Sequence, residues 1–223
     1  MPIVAPDREH AARRAASLLA DAMRAALSRQ PRFALAVSGG HTAPPMLRAL
    51  AAEPLAWSRV DVFQADERMA PEGSPDRNAT ELAGALAGTE ARLHPIPCDA
   101  SPEAAADRYE RTLREVLGAR PTIDLVHLGL GPEGHTASLF PGETAGYDDA
   151  RDVVAVGSHG GWRRVTMTHA CLSRARARLW LVTGAEKRAA VRALIGGDGV
   201  AGTLRRDGDH VVVDRAAYDE GGT

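Results

Sequence analysis

A chain of 223 residues, 44% hydrophobic and 25% charged, has an ordinary globular composition and is long enough to bury a core as one α/β unit spanning 1–223. Its 27 basic and 29 acidic residues leave a formal net charge of -2, which argues against a nucleic-acid partner, since such a partner calls for a strongly basic face. No apolar run reaches the roughly 18 residues of a membrane span, and charges from Asp7 onward come too early for a signal peptide, so a cytoplasmic protein without membrane association is expected.

Residues 7–29 place Ala and Leu at helical spacing among polar residues, predicting an amphipathic helix that ends before Pro31. FALAV at 33–37 reads as a buried strand, and SGGHTAPP as the loop into a helix over 45–52. The pattern repeats with a strand over 60–66, a helix over 78–86, a short strand in RLHPIP at 92–97 and a helix over 102–117. IDLVHLGLG at 123–131 is almost continuously apolar, which suits a central strand covered on both faces. VVAVG at 153–157, RVTMT at 164–168 and RLWLVTG at 178–184 read as further strands; a helix over 185–195 follows, and HVVVD at 210–214 closes the sheet. Parallel neighbours need crossover connections, so this alternation predicts a single doubly wound, mainly parallel sheet with helices on both faces, Rossmann-like. Ligands of such folds bind beyond the carboxyl ends of the strands, so the loops after 37, 65, 130, 156 and 183 are expected to converge on one crevice.

Several residues at those loops suit the chemistry of small anions. In Ser38-Gly39-Gly40-His41-Thr42 the glycines allow close approach of backbone to ligand, and helix N-terminal amides with two hydroxyls favour a phosphate; an ordinary glycine-rich turn is the alternative. The segment is neither GxGxxG nor GxxxxGK[ST], so nucleotide binding is not indicated. Asp66-Glu67-Arg68 could hold sugar hydroxyls or an anion, or be a solvated triplet. GLGPEGHTASLFPG at 129–142 brings His135 to the end of the central strand, where a neutral imidazole would serve as a general base and Glu133 could orient it; a histidine merely packed in a turn is the alternative.

Arg163, Arg164 and Lys187 lie near strand ends, and Lys187 is the one lysine among the basic residues. Either nucleotide bias converted the others to arginine, or position 187 needs a compact ammonium. Arg174, Arg176 and Arg178 read as a solvated face, and Cys98 and Cys171 as buried small hydrophobes rather than a disulfide. There is no GxSxG, no HExxH and no histidine pair at metal-ligand spacing, so no metal site is expected.

Taken in order, SGGHT at 38, DER at 66, SPDRNA at 74, GLGPEGHTASLFPG at 129, RVTMT at 164 and VTGAEK at 182 resemble the 6-phosphogluconolactonase family along nearly the whole chain. That resemblance implies hydrolysis of a sugar-phosphate lactone, 6-phospho-D-glucono-1,5-lactone, without metal or organic cofactor; a monomer or weak homo-oligomer is expected. The resemblance also implies His135 as general base, Ser38 to Thr42 with Arg164 and Lys187 at the substrate phosphate, and Asp66 to Arg68 lining the same cleft. Arg68 or backbone amides would stabilise the oxyanion. The chain departs from the family pattern in Thr42-Ala43 for Thr-Pro, in Glu133 for the usual Asp, and in SHGGW at 158–162 for a proline-rich, lysine-bearing stretch. Glucosamine-6-phosphate deaminases and related isomerases share the glycine-rich loop but continue after Gly-His as IAFNEPG, where this chain has TASLFPG. A non-catalytic sugar-phosphate sensor would need a DNA-binding element, for which the residues before the first strand offer one helix.

Overall fold

The computed structural model of the chain describes residues 1–148 and 150–218. It opens with β1 (Ile3–Ala5) and the helix α1 (Arg8–Leu27). The Asp7 carboxylate caps α1 by accepting from the His10 amide at 2.9 Å, and Ala11, Ala15, Leu19 and Met23 form its buried stripe, the alanines allowing a close approach to the sheet. Next come β2 (Phe33–Val37), α2 (Ala43–Ala51), β3 (Val60–Gln64), β4 (Asp66–Arg68), α3 (Asn78–Ala85), β5 (Arg92–His94) and α4 (Pro102–Leu117). Ser101 caps α4, and Pro102 sits in its first turn, where its missing N–H costs nothing. The chain continues with β6 (Leu125–Leu128), β7 (Val153–His159), β8 (Trp162–Met167), α5 (His169–Ser173), β9 (Ala177–Val182), α6 (Arg188–Gly196), α7 (Gly199–Leu204) and β10 (His210–Asp214).

Seven strands form one sheet in the order β1-β10-β9-β6-β2-β3-β5, and every pairing in it is parallel. Apolar residues of α1, α2 and α3 pack on one face, and those of α4, α5, α6 and α7 on the other. This is the doubly wound α/β fold expected from the alternation of elements, with β6 at its middle. From β2 the chain winds outward through β3 and β5, then returns to β6 on the opposite side of β2. The loops leaving β2 and β6 therefore part company and open a crevice at the switch point.

Some strand assignments are corrected. The runs at 153–157 and 164–168 do not enter the parallel sheet; with β4 they make an antiparallel sheet of order β4-β8-β7, packed through Val153, Val165 and Met167 onto the α4 side. Gly160 and Gly161, at φ 61° and 84°, form the two-residue turn between β7 and β8, a turn that joins antiparallel strands only. The strand expected over 60–66 breaks after Gln64, and Asp66 opens β4 in the second sheet. β10 does not close the large sheet, because β1, too short to show periodicity, lies outside it. The helix expected over 185–195 begins as a 3-10 turn, Ala185–Lys187.

Candidate active site

The crevice at the switch point is lined by Ser38 to Thr42 after β2, by Asp66 and Arg68 of β4, and by Gly129 to Pro132 with His135 after β6. Arg164 of β8 and Lys187, from the turn before α6, complete the sequence-predicted residues found there. Four of the five loops expected to converge do so; the one after 156 does not, and Arg164 reaches in from the following strand instead. Glu133 stands behind His135 rather than on the crevice wall. Arg8, Asn78, Thr183 and Glu186 also line it and were not singled out from sequence, since Arg8 reads there as one more polar position of an amphipathic helix.

The β2 loop lies close to α3. A Cβ on Gly39 would fall 2.1 Å from Asn78 Oδ1, so only glycine fits at 39. Asn78 is itself held, its Nδ2 donating to the Asp66 carbonyl at 3.0 Å. The Asp66 carboxylate accepts from Ser38 Oγ at 3.0 Å and from Ser138 Oγ at 2.7 Å, tying the β2 and β6 loops to one strand. Glu67 points the other way. It is fully buried and accepts from the amides of Arg68, Asn78 and Ala79 at 2.8 Å each, and from Gln64 Nε2 at 2.9 Å, which caps α3. Burial pushes the Glu67 carboxyl above the usual range against those donors. The triplet is thus not solvated: Asp66 and Glu67 are buried and Arg68 is half-buried.

The β6 loop folds tightly. The Gly131 amide donates to the His135 carbonyl at 2.8 Å, the Gly134 amide to the Gly131 carbonyl at 3.0 Å, and Thr136 Oγ1 to the Gly129 carbonyl at 2.8 Å. Gly134 has φ 89°, and Ala137, at φ 48°, holds a left-handed conformation that side chains rarely adopt, the kind of local strain that gathers at functional sites. The His135 ring lies 4.4 Å from the Phe140 ring, and Glu133 Oε1 approaches its Nδ1 at 2.9 Å without the in-line geometry of a hydrogen bond. Burial holds the imidazole below its ordinary 6.5, outweighing Glu133 and Asp66, which favour the cation; Arg164 acts with burial. The net direction favours the neutral imidazole. Burial alone would raise the Glu133 carboxyl, but its own backbone amide, His135 and Lys187 bring it below the usual range.

Arg68 and Arg164 stand directly opposite each other across the β4–β8 pairing, and both line the crevice. Like charges at facing positions repel. Arg68 Nη1 donates to the Asp76 carbonyl at 3.1 Å and Arg164 Nη2 to the His159 carbonyl at 2.9 Å. Burial pushes Arg164 below its ordinary range, with Arg68 adding to the effect and Asp66 opposing it. Lys187 is likewise pushed down by burial, against Glu186 and Glu133. Cationic groups held together in this way favour an anion between them.

The remaining cations are placed differently. Arg163, one residue along β8, points to the opposite side and pairs with Glu103 at the surface. Of the arginines expected on a solvated face only Arg176 is exposed. Arg178 is buried, its Nε 2.7 Å from Asp209 Oδ2 and its Nη1 donating to the Leu172 and Ala175 carbonyls, while Arg174 pairs with Asp152. Cys171 is buried, Cys98 half-buried, and both are free thiols. Among the described residues no cluster of three or more His, Cys, Asp or Glu side chains is disposed to hold a metal, and no helix is long and apolar enough to cross a membrane.

The fold is that of a doubly wound α/β protein, and the crevice at its switch point, where such folds take their ligands, is lined by an imidazole and two facing guanidinium groups. The family described as glucosamine-6-phosphate isomerases/6-phosphogluconolactonase matches residues 6–203, and the chain belongs to it. A 6-phosphogluconolactonase of Nostoc sp. is 34% identical over 199 residues, 84% of this chain and 82% of that protein. One from Synechocystis sp. is 37% identical over 175 residues, 74% and 72% of the two chains. Among solved structures, 6-phosphogluconolactonase from Trypanosoma cruzi superposes with a TM-score of 0.86 at 25% identity, covering 97% of this chain and 96% of its own.

Proposed function

We propose that the protein hydrolyses 6-phospho-D-glucono-1,5-lactone to 6-phosphogluconate, a step of the oxidative pentose phosphate pathway, as one catalytic unit spanning 1–223. The observation that carries this reading is the placement of His135 in one crevice with Lys187 and the facing Arg68 and Arg164, a base beside an anion site. The lactonases among its relatives support it.

His135 takes a proton from water as the water oxygen bonds to the lactone carbonyl carbon, and Arg68 or nearby amides receive the charge that develops on the carbonyl oxygen. The tetrahedral adduct collapses, the bond from carbonyl carbon to ring oxygen breaks, and the imidazolium returns its proton to the leaving oxygen. Glu133 favours that imidazolium. Lys187, Arg164 and the segment Ser38 to Thr42 bind the phosphate. A positioned base contributes about 10² to 10⁴ in rate, enough for an ester already as reactive as an aldonolactone. The enzyme works in the cytoplasm without metal or cofactor, as a monomer or weak homo-oligomer.

TASLFPG after His135, in place of IAFNEPG, favours the lactonase over a deaminase or isomerase. The test is acid release from freshly prepared 6-phosphogluconolactone, with unphosphorylated gluconolactone as control. A rate no faster than spontaneous hydrolysis rejects the proposal.

A further inference from the structure

We propose that His159, at the end of β7, is a positioning residue that holds His135 in place from outside the crevice. The inference rests on the lactonase reading for its kinetic consequence, though not for its geometry. His159 does not line the crevice, and it belongs to the SHGGW segment in which this chain departs from the family pattern.

The His159 ring is stacked on Phe140, centroids 3.4 Å apart and planes 9° from parallel, while His135 lies 4.4 Å from Phe140 with its plane tilted 31°. Two rings this near to a third and this close to parallel must cover its opposite faces, so Phe140 is held between the two imidazoles. The outer imidazole is itself tethered, its Nε2 2.7 Å from Glu143 Oε1, just past the glycine-rich loop that carries His135. Gly157 leaves room for that carboxylate, since a Cβ there would lie 2.7 Å from Glu143 Oε1. The His159 carbonyl accepts from Arg164 Nη2 at 2.9 Å and Nε at 3.3 Å, and the Arg164 guanidinium sits 6.0 Å from the Phe140 ring centre.

The β7–β8 hairpin and the His135 loop are thereby braced against each other at two points, ring on ring and imidazole on carboxylate. Removing the outer ring uncovers one face of Phe140, and both Phe140 and His135 gain freedom to shift. A base displaced by about 1 Å loses rate steeply while ground-state binding persists. The Arg164 anchor is a backbone carbonyl and survives a change of side chain, so the loss belongs in kcat rather than KM.

The experiment compares wild type with His159→Ala, His159→Gln and His159→Phe. Ala and Gln, which remove the ring, are expected to lower kcat about ten-fold with little change in KM, whereas Phe, which restores the stack, keeps most of kcat. Gln retains a hydrogen-bonding group for Glu143 and reports on the ring if the Ala variant does not fold. Wild-type kcat in Ala or Gln, or a Phe variant as impaired as they are, overturns the proposal. If wild type itself does not hydrolyse the lactone, the lactonase reading fails separately. The brace is then read by NMR: the His135 ring-proton resonances move in Ala or Gln and return toward wild type in Phe, and resonances that stay put overturn it.

Discussion

The His135 ring fills the space that any side chain on residue 131 would need: a Cβ on Gly131 would lie 2.0 Å from its Nδ1 and 2.2 Å from its Cε1. The clash is with a movable ring, and Gly131 itself has no positive φ, so Gly131→Ala is expected to fold and to turn the imidazole aside. A misplaced base costs about 10²-fold in kcat. The check is turnover beside a thermal melt: near-wild-type turnover would mean that the ring's position is not what matters.

Burial keeps His135 below 6.5, so the acid limb of kcat/KM should have its midpoint below that value. Glu133 and Asp66 work against burial by favouring the imidazolium, and Arg164 works with it. Taking away the carboxylate in Glu133→Gln leaves the cation less stabilised and moves the midpoint further toward acid. A profile that does not move would show that the 2.9 Å approach carries no electrostatic coupling.

Lys187→Ala and Arg164→Ala should each raise KM for the phosphorylated lactone by about 10- to 100-fold, the range for losing a charged hydrogen bond worth about 1.5–3 kcal/mol. Hydrolysis of unphosphorylated gluconolactone should change much less in the Lys187 variant. An unchanged KM in both variants would remove the phosphate from this end of the crevice.

His127, on β6, is fully buried, neither ring nitrogen has a well-aligned hydrogen-bond partner among the described residues, and burial pushes its imidazole down to about 4 from 6.5, with the Ser38 backbone opposing. Between those two values the unfolded chain takes up the proton and the folded one does not. Stability is therefore undiminished above pH 6.5 and falls as pH drops toward 4, by roughly 3 kcal/mol in all. Urea unfolding at pH 7 and pH 5 should show part of that loss in wild type and a smaller one in His127→Leu; equal losses would count against it.

Much of the fold was legible because short-range periodicity survives in its elements. The alanine stripe of α1, the apolar run of β6 and the Ser101-Pro102 start of α4 each depend on neighbours within a few turns of chain. What periodicity does not report is which sheet a strand joins. β7 and β8 look like further members of the alternation, yet Gly160 and Gly161 turn the chain back on itself, a signal present in SHGGW as two adjacent glycines.

Sequence by itself determined the doubly wound architecture and the glycine-bounded loop that carries His135, since both are written in local pattern and in residues whose special backbone freedom the turns require. Only the tertiary structure decided which charges are buried and which face each other. Arg178 reads like its exposed neighbour Arg176 but is enclosed with Asp209, and Arg68 meets Arg164 through the register of two strands nearly a hundred residues apart. It also seated Asp66 between Ser38 and Ser138, and His159 behind Phe140. These are relations between distant segments, set by packing and pairing geometry that no local window contains.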